Sequence, residues 1–278
     1  MPSRIYAPGL LDGCVVVVTG GGSGLGRASA QELSACGATV VVAGRRLEPL
    51  EETVALCEGK CDAVACDIRE EDQVGALVDG VLERHGRIDT LVNNAGGQYM
   101  TPAEDISAKG FETVVRLNLI GTWLMSHAVA TKAMIPQGGG KIISVTLSPH
   151  HGLPGMAHSS AARAAVENLM RVLSIEWARF NIKTTAIASG HFRTDALKKY
   201  PEPVQEGVAR TVPLQRLGEA EEQAWLVAYL ASPAGDYFSG TTITIDGGRD
   251  NWFGPWPPPH LMDAEGKPLA EKRRKPSS

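Results

Sequence analysis

Eight residues near the start of the chain, Thr19-Gly20-Gly21-Gly22-Ser23-Gly24-Leu25-Gly26, have the make-up of a loop that holds a pyrophosphate. Glycines let a backbone turn tightly and approach an anion, and a helix starting at Gly24 offers free N–H groups and its positive dipole end. An apolar run, Val15-Val16-Val17-Val18, precedes the loop and an amphipathic stretch follows. That context separates a dinucleotide cradle from a plain strand-to-helix turn. Gly20, Ser23, Gly24, Leu25 and Gly26 are the candidate contacts. The next apolar run ends Ala43-Gly44-Arg45-Arg46. A site for NAD places a carboxylate near that point to bond the adenine ribose, and Gly44 supplies none. Arg45 and Arg46 suit a 2′-phosphate instead, which points to NADPH; solvated cations opening a helix are the plainer alternative.

These loops need a scaffold to aim them. β-branched runs near 15–18, 39–42, 63–66, 88–92, 141–146, 183–188 and 241–245 alternate with helical stretches near 24–36, 47–57, 70–85, 108–134, 157–180 and 219–231. Near-continuous apolar strands alternating with helices predict a parallel sheet covered on both faces. The unbroken alternation predicts one α/β domain over residues 10–248, with 190–217 as a less regular, lid-like stretch. Residues 1–9 form a short N-terminal extension and 249–278 a Pro/Trp-rich C-terminal one.

Composition excludes several classes. The chain has 278 residues and a net charge of −4, without the clustered basic excess of a nucleic-acid or anionic-membrane binder. No stretch approaches the ~18–20 apolar residues of a spanning helix. The first nine residues lack the form of a signal peptide, and five cysteines, an odd number, suit a reduced, cytoplasmic chain. Cys57-x3-Cys61-x4-Cys66 has no second pair to complete a zinc site, so no metal is expected.

Taken in order, the motifs resemble the short-chain dehydrogenase/reductase family across about residues 10–248. The matching pieces are Thr19 to Gly26, Asp67-Ile68, Asn93-Asn94-Ala95-Gly96, Asn118, Pro213 to Gly218 and Asp246-Gly247-Gly248. The resemblance implies a Rossmann-type, doubly wound parallel sheet of seven strands in the order 3-2-1-4-5-6-7. It implies that Asp67 and Ile68 meet the adenine, and that Asn93, Asn94, Ala95 and Gly96 line the cofactor. Asn118 would hold a proton-relay water, and assembly would be a dimer or tetramer through the two long helices.

The catalytic segment departs from that family. Its usual pattern is a Tyr four residues before a Lys, with a Ser about thirteen residues upstream. Alignment on Ala164-Ala165-Val166 puts Arg163 in the Lys place and Ser159 in the Tyr place, with the upstream Ser near Thr146, Leu147 or Ser148. Asn118, Thr146, Ser159 and Arg163 are the catalytic candidates, and Arg163 also a cofactor contact. Reducing a ketone needs an acid to protonate an alkoxide; a Ser hydroxyl is a poor one and Arg cannot shuttle protons. Reducing an activated C=C needs only donors for a developing enolate oxygen, and Ser159 suffices for that.

A narrower resemblance joins Asn93 to Tyr99, Ser107 to Gly110, His158 to Arg163 and Asp246 to Arg249 with the peroxisomal trans-2-enoyl-CoA reductase branch. That branch and the related 2,4-dienoyl-CoA reductases imply NADPH and acyl-CoA thioesters. The dienoyl branch carries an Asn and a Tyr at the places of Ile120 and Ser148, which favours enoyl reduction here. Gln98, Tyr99, His158 and Phe192 are the substrate candidates, and Arg193, Lys198, Lys199 and Arg210 either meet CoA phosphates or solvate a lid. Two alternatives stand: a carbonyl or 3-hydroxyacyl dehydrogenase using a displaced acid such as Tyr99 or a His, and a non-catalytic NADP-binding protein. His150 and His151, adjacent in a loop, read as solvent-exposed. Residues 250–262, with Trp252 and Trp256, are expected to pack, whereas Lys272 to Lys275 read as a solvated tail and Pro276-Ser277-Ser278 as no peroxisomal address.

Overall fold

A computed structural model of the chain describes residues 2–148, 150–194, 197, 207–252 and 262. The four-valine run becomes β1 (Val15–Thr19), followed by β2 (Thr39–Gly44), β3 (Cys61–Ala65), β4 (Thr90–Asn93), β5 (Gly140–Leu147), β6 (Ile182–Ser189) and β7 (Thr241–Ile245). All pair in parallel, in the order β3-β2-β1-β4-β5-β6-β7. This is the doubly wound sheet the sequence predicts. Because side chains alternate across a strand, β1 feeds two cores at once. Val15 and Val17 join Val41, Leu91, Met125 and Met170 on one face, while Val16 and Val18 join Val40, Leu33 and Val227 on the other. Each fully buried Val contributes about 1.5–3 kcal/mol of apolar burial.

The helices are α1 (Gly24–Ala35), α2 (Leu47–Leu56), α3 (Glu71–His85), the continuous helical run 108–137 (α4), α5 (Ala157–Glu176) and α6 (Ala220–Ala231). The expected long helix near 108–134 is present but is not a uniform α-helix. It contains two π turns, Arg116–Ile120 and Ala130–Met134. Pro136 follows the second; it has no N–H for the carbonyl four residues back, and the widened turn absorbs that missing bond. The first π turn carries Asn118, whose carbonyl accepts the Thr122 hydroxyl at 2.8 Å.

Chain order reverses between β1 and β4, so the connections that follow the two strands lead to opposite faces of the sheet. In such sheets ligands bind in the crevice beyond the carboxyl ends of the strands at this switch point. The chain's candidate motifs sit on the loops around it: 19–26 after β1, 45–46 after β2, 67–68 after β3, 93–99 after β4 and 148–156 after β5. Residues 253–261, together with Lys198, Lys199 and the 272–275 run, lie outside the described residues; Trp252 is half-buried.

Candidate active site

The first half of the site is built from backbone. Gly20 and Gly24 have φ of 67° and 51°, which L side chains rarely adopt. A Cβ on Gly20 would lie 2.8 Å from Ala95 Cα, and one on Gly26 would collide with Gly20 O and Asn94 Nδ2. The loops after β1 and β4 are thus packed backbone to backbone. Asn94 Nδ2 donates to Thr19 O and Gly20 O at 3.0 and 3.2 Å, and Thr19 Oγ1 accepts from the Asn94 and Ala95 N–H groups at 3.1 Å each. Ser23 caps α1 in extended conformation without a side-chain cap bond. A glycine floor beneath an uncapped helix N-terminus fits a dinucleotide pyrophosphate. Thr194, which sequence reasoning did not single out, comes within 3.5 Å of a Cβ placed on Gly24 and closes the rim.

Arg45 and Arg46 are exposed where β2 passes into α2. Asp67 stands near them, its carboxylate held by the Arg69 fork (Nε to Oδ1 2.9 Å and Oδ2 3.1 Å, Nη2 to Oδ2 2.5 Å). That fork, with the charge of Arg45 adding a smaller pull, keeps the Asp67 carboxyl below the usual carboxylate range. The Ile68 side chain is buried in the core under Gly121. Asn93 is buried as well, donating to Ser126 and Ser144 at 2.9 and 3.3 Å between β4, β5 and α4.

The second half is a cluster of side chains. Asn118 grips Gly97, its Oδ1 accepting the Gly97 N–H at 2.9 Å and its Nδ2 donating to Gly97 O at 3.1 Å. Gly96 lies directly on Arg163, where a Cβ would overlap Nη2. The guanidinium is buried and donates to Val145 O at 2.5 Å, and burial pushes its pKa down to about 10. One helical turn earlier on α5, the buried Ser159 hydroxyl donates to Gln98 Oε1 at 3.2 Å. His158 is also buried; its Nδ1 accepts the Ser159 N–H at 2.7 Å, which leaves the proton of the neutral ring on Nε2. Burial favours that neutral form. The Tyr99 ring meets the His158 ring edge to face, with centroids 4.5 Å apart, and Tyr99 Oη lies against Gly110 at the start of α4.

Gly96, Gln98, Tyr99, Asn118, His158, Ser159 and Arg163 therefore lie together in one cluster. Thr146 does not join them: its hydroxyl donates to Glu167 Oε1 at 2.9 Å, with Ile187 O at 3.3 Å. Phe192 is buried against Gly218, beside a cavity of about 120 Å³ that His191, Arg216 and Asp246 also line. Burial, reinforced by Arg249, pushes His191 down to about 4.

Sequence reasoning missed a polar network beside this cluster. Glu167, four residues beyond Arg163, is a buried carboxylate. It meets Thr146, Thr242 (3.3 Å) and His150 Nε2 (3.1 Å). His150 also holds Asp250 twice, backbone N to Oδ1 at 2.6 Å and Nδ1 to Oδ2 at 2.5 Å. Asp246 accepts the Ser148 hydroxyl at 2.5 Å and the Asp250 N–H at 2.7 Å. His150 is exposed, as its loop suggested, and is at the same time bonded through both ring nitrogens. One signal was present: a carboxylate four residues beyond Arg163, on the same face of the helix as Ser159 and Arg163.

Among the described residues no group of His, Cys, Asp and Glu is arranged to hold a metal, and no helix is long and apolar enough to cross a membrane.

Known proteins share this architecture. A family model described as Enoyl-(Acyl carrier protein) reductase matches residues 20–250. A probable 2,4-dienoyl-CoA reductase of Bacillus subtilis is 37% identical over 251 residues, which is 87% of this chain and 98% of the relative. The peroxisomal 2,4-dienoyl-CoA reductase of Danio rerio is 33% identical over 254 residues, 88% of this chain and 84% of the relative. Among solved structures, the citronellol catabolism dehydrogenase of Pseudomonas aeruginosa is 42% identical with a TM-score of 0.80, covering 88% of this chain and 98% of that one. With the fold, the glycine cradle and these relatives in agreement, the chain belongs to the short-chain dehydrogenase/reductase family and is an oxidoreductase of it.

Proposed function

We propose that the protein reduces the C=C bond of 2-enoyl-CoA-type thioesters with NADPH, as a cytoplasmic dimer or tetramer. The observation that carries this reading is Ser159, buried in the place of the family's phenol, with a buried, permanently charged Arg163 one turn on. Bound in the cradle, the dihydronicotinamide would supply hydride to the β-carbon. Arg45 and Arg46 bind the 2′-phosphate as exposed forks, and Arg163 holds the nicotinamide ribose while Val145 O fixes its plane. Ser159 exchanges Gln98 for the thioester oxygen and donates to it as negative charge builds there. Asn118, by gripping Gly97, sets the height of Gln98 and Tyr99 over the acyl chain. The α-carbon takes its proton from water.

A second reading follows from the names of the relatives: 2,4-dienoyl thioesters place charge on the same oxygen and use the same donor. The test is NADPH consumption, followed by absorbance, with 2-enoyl-CoA and 2,4-dienoyl-CoA side by side and 3-hydroxyacyl-CoA with NADP⁺ as the third arm. Turnover of enoyl thioesters supports the first reading and turnover confined to dienoyl thioesters the second. Oxidation of the 3-hydroxyacyl thioester alone overturns both. Tight NADPH binding without turnover on any arm makes this a non-catalytic binder. A higher kcat/KM with NADH would remove the cofactor assignment.

A further inference from the structure

His158 stands in the first turn of α5 and is fully buried. Four buried side-chain atoms among the described residues have no hydrogen-bond partner: Asn93 Oδ1, His158 Nε2, Ser160 Oγ and Gln223 Nε2. Of these, His158 Nε2 belongs to a ring bound into the Ser159 cluster on two sides. Its Nδ1 accepts the Ser159 N–H at 2.7 Å, and the ring meets that of Tyr99 at an interplanar angle of 72°. The Ser159 hydroxyl reaches Gln98. Two consecutive residues of α5 thus address two consecutive residues of the loop after β4.

The bond at Nδ1 fixes the proton. A nitrogen that accepts an N–H carries no hydrogen of its own, so the neutral ring holds its single proton on Nε2. A second proton would have to take the Nδ1 lone pair, break the bond to Ser159 N and sit at the positive end of α5. The ring is therefore set to donate a hydrogen bond and not to pass a proton. An N–H shut away from water without an acceptor is destabilising, and an aromatic face such as that of Tyr99 is a weak substitute. Ser159 has a stand-in acceptor in Gln98 Oε1, whereas His158 has none. A carbonyl oxygen offers two lone pairs, and paired, preorganised donors are what stabilise charge that builds on it.

We propose that His158 donates its Nε2–H to the thioester carbonyl oxygen of the substrate, on the lone pair that the Ser159 hydroxyl leaves open. This assignment rests on the enoyl-thioester reading of the site. The proton stays on the ring throughout, and water still protonates the α-carbon. Tyr99, exposed and in contact with His158, is the ring the acyl group passes on its way in.

The test uses the full-length protein with NADP⁺ and a saturated acyl-CoA carrying ¹³C at the thioester carbonyl, the product pair of the proposed reduction. Isotope-edited infrared difference spectra read the bound C=O stretch, which falls with each hydrogen bond the oxygen accepts. The stretch should drop on binding to the parent and drop less in Ser159→Ala and in His158→Phe. It should recover in His158→Gln, whose amide nitrogen reaches the place of Nε2. With 2-enoyl-CoA, kcat should fall at least about tenfold in His158→Phe, with NADPH Kd kept within about twofold. In the parent labelled with ¹⁵N-histidine, the His158 Nε2 resonance should move when the acyl-CoA binds, a readout that needs no variant to fold. An unmoved resonance, a parent-like stretch in His158→Phe, or equal losses in His158→Phe and His158→Gln would each overturn the assignment while leaving the enoyl reading in place. A parent that neither binds saturated acyl-CoA nor turns over its enoyl form would overturn both together.

Discussion

The loop after β1 and the face of α5 stand on the same crevice and are built by opposite means. Gly20, Gly24 and Gly26 position main chain, and what they require is the absence of a side chain. Ser159 and Arg163 are common residue types whose value comes from partners on other elements: Gln98 after β4 and Val145 on β5. The cradle is local and written in composition, whereas the catalytic face is assembled at long range and written in contacts. Changes to the cradle should therefore act through packing and cofactor affinity, and changes to the α5 face through kcat.

The largest effect is expected on the α5 face. Ser159→Ala should lower kcat by about a hundredfold, the size of losing one oxyanion donor, with NADPH affinity kept. A kcat within twofold of the unsubstituted enzyme would take Ser159 out of that role and weaken the contrast. Gly26→Ala comes next, since the added carbon meets Gly20 O and Asn94 Nδ2 with no space to shift. Overpacking of about 1–3 kcal/mol should appear as a lower thermal midpoint together with weaker cofactor binding. A variant as stable as the parent would show that the two loops can part. Arg45→Ala and Arg46→Ala should each cost NADPH about tenfold in Kd, the lower range of a charge-assisted bond, and leave NADH unchanged. Equal losses for both cofactors would point to a general surface role.

The smallest effect concerns pH. Burial pulls His150 down, but its bond to Asp250 and the charges of Glu167 and Asp250 together raise it above its ordinary value. A raised imidazole stabilises the fold fully below the unfolded pKa, about 6.5, and loses that contribution as pH climbs through the folded value. The thermal midpoint gap between the parent and His150→Gln should thus be wider at about pH 6 than at about pH 8. Solvent screening keeps the gap modest, below about 1 kcal/mol. A gap that widens with pH would mean that the ring is held neutral.

How much could be read in advance follows the same division. The alternation of strands and helices and the glycine loop were legible because each depends on local spacing, whereas the strand order and the places of Ser159 and Arg163 were supplied by the family resemblance. The turn of Thr146 toward Glu167, and the meeting of His150 with Asp250, were legible in neither. Ser148 and Asp246 lie 98 residues apart, and no local pattern marks them as partners. Nor did apolar periodicity reveal the two π turns in α4, because one extra residue per turn barely moves the stripe.

The two hydrogen bonds between His150 and Asp250 make the chain just beyond β7 part of the wall beside Glu167. Free energy shared across such a clamp is reciprocal: whatever steadies residues 249–252 steadies the loop at 148–151, by an equal amount in each direction. An antibody fragment or peptide that recognises the segment around Asp250 would then serve as a remote gauge, its affinity rising when a ligand in the crevice orders the loop above β5.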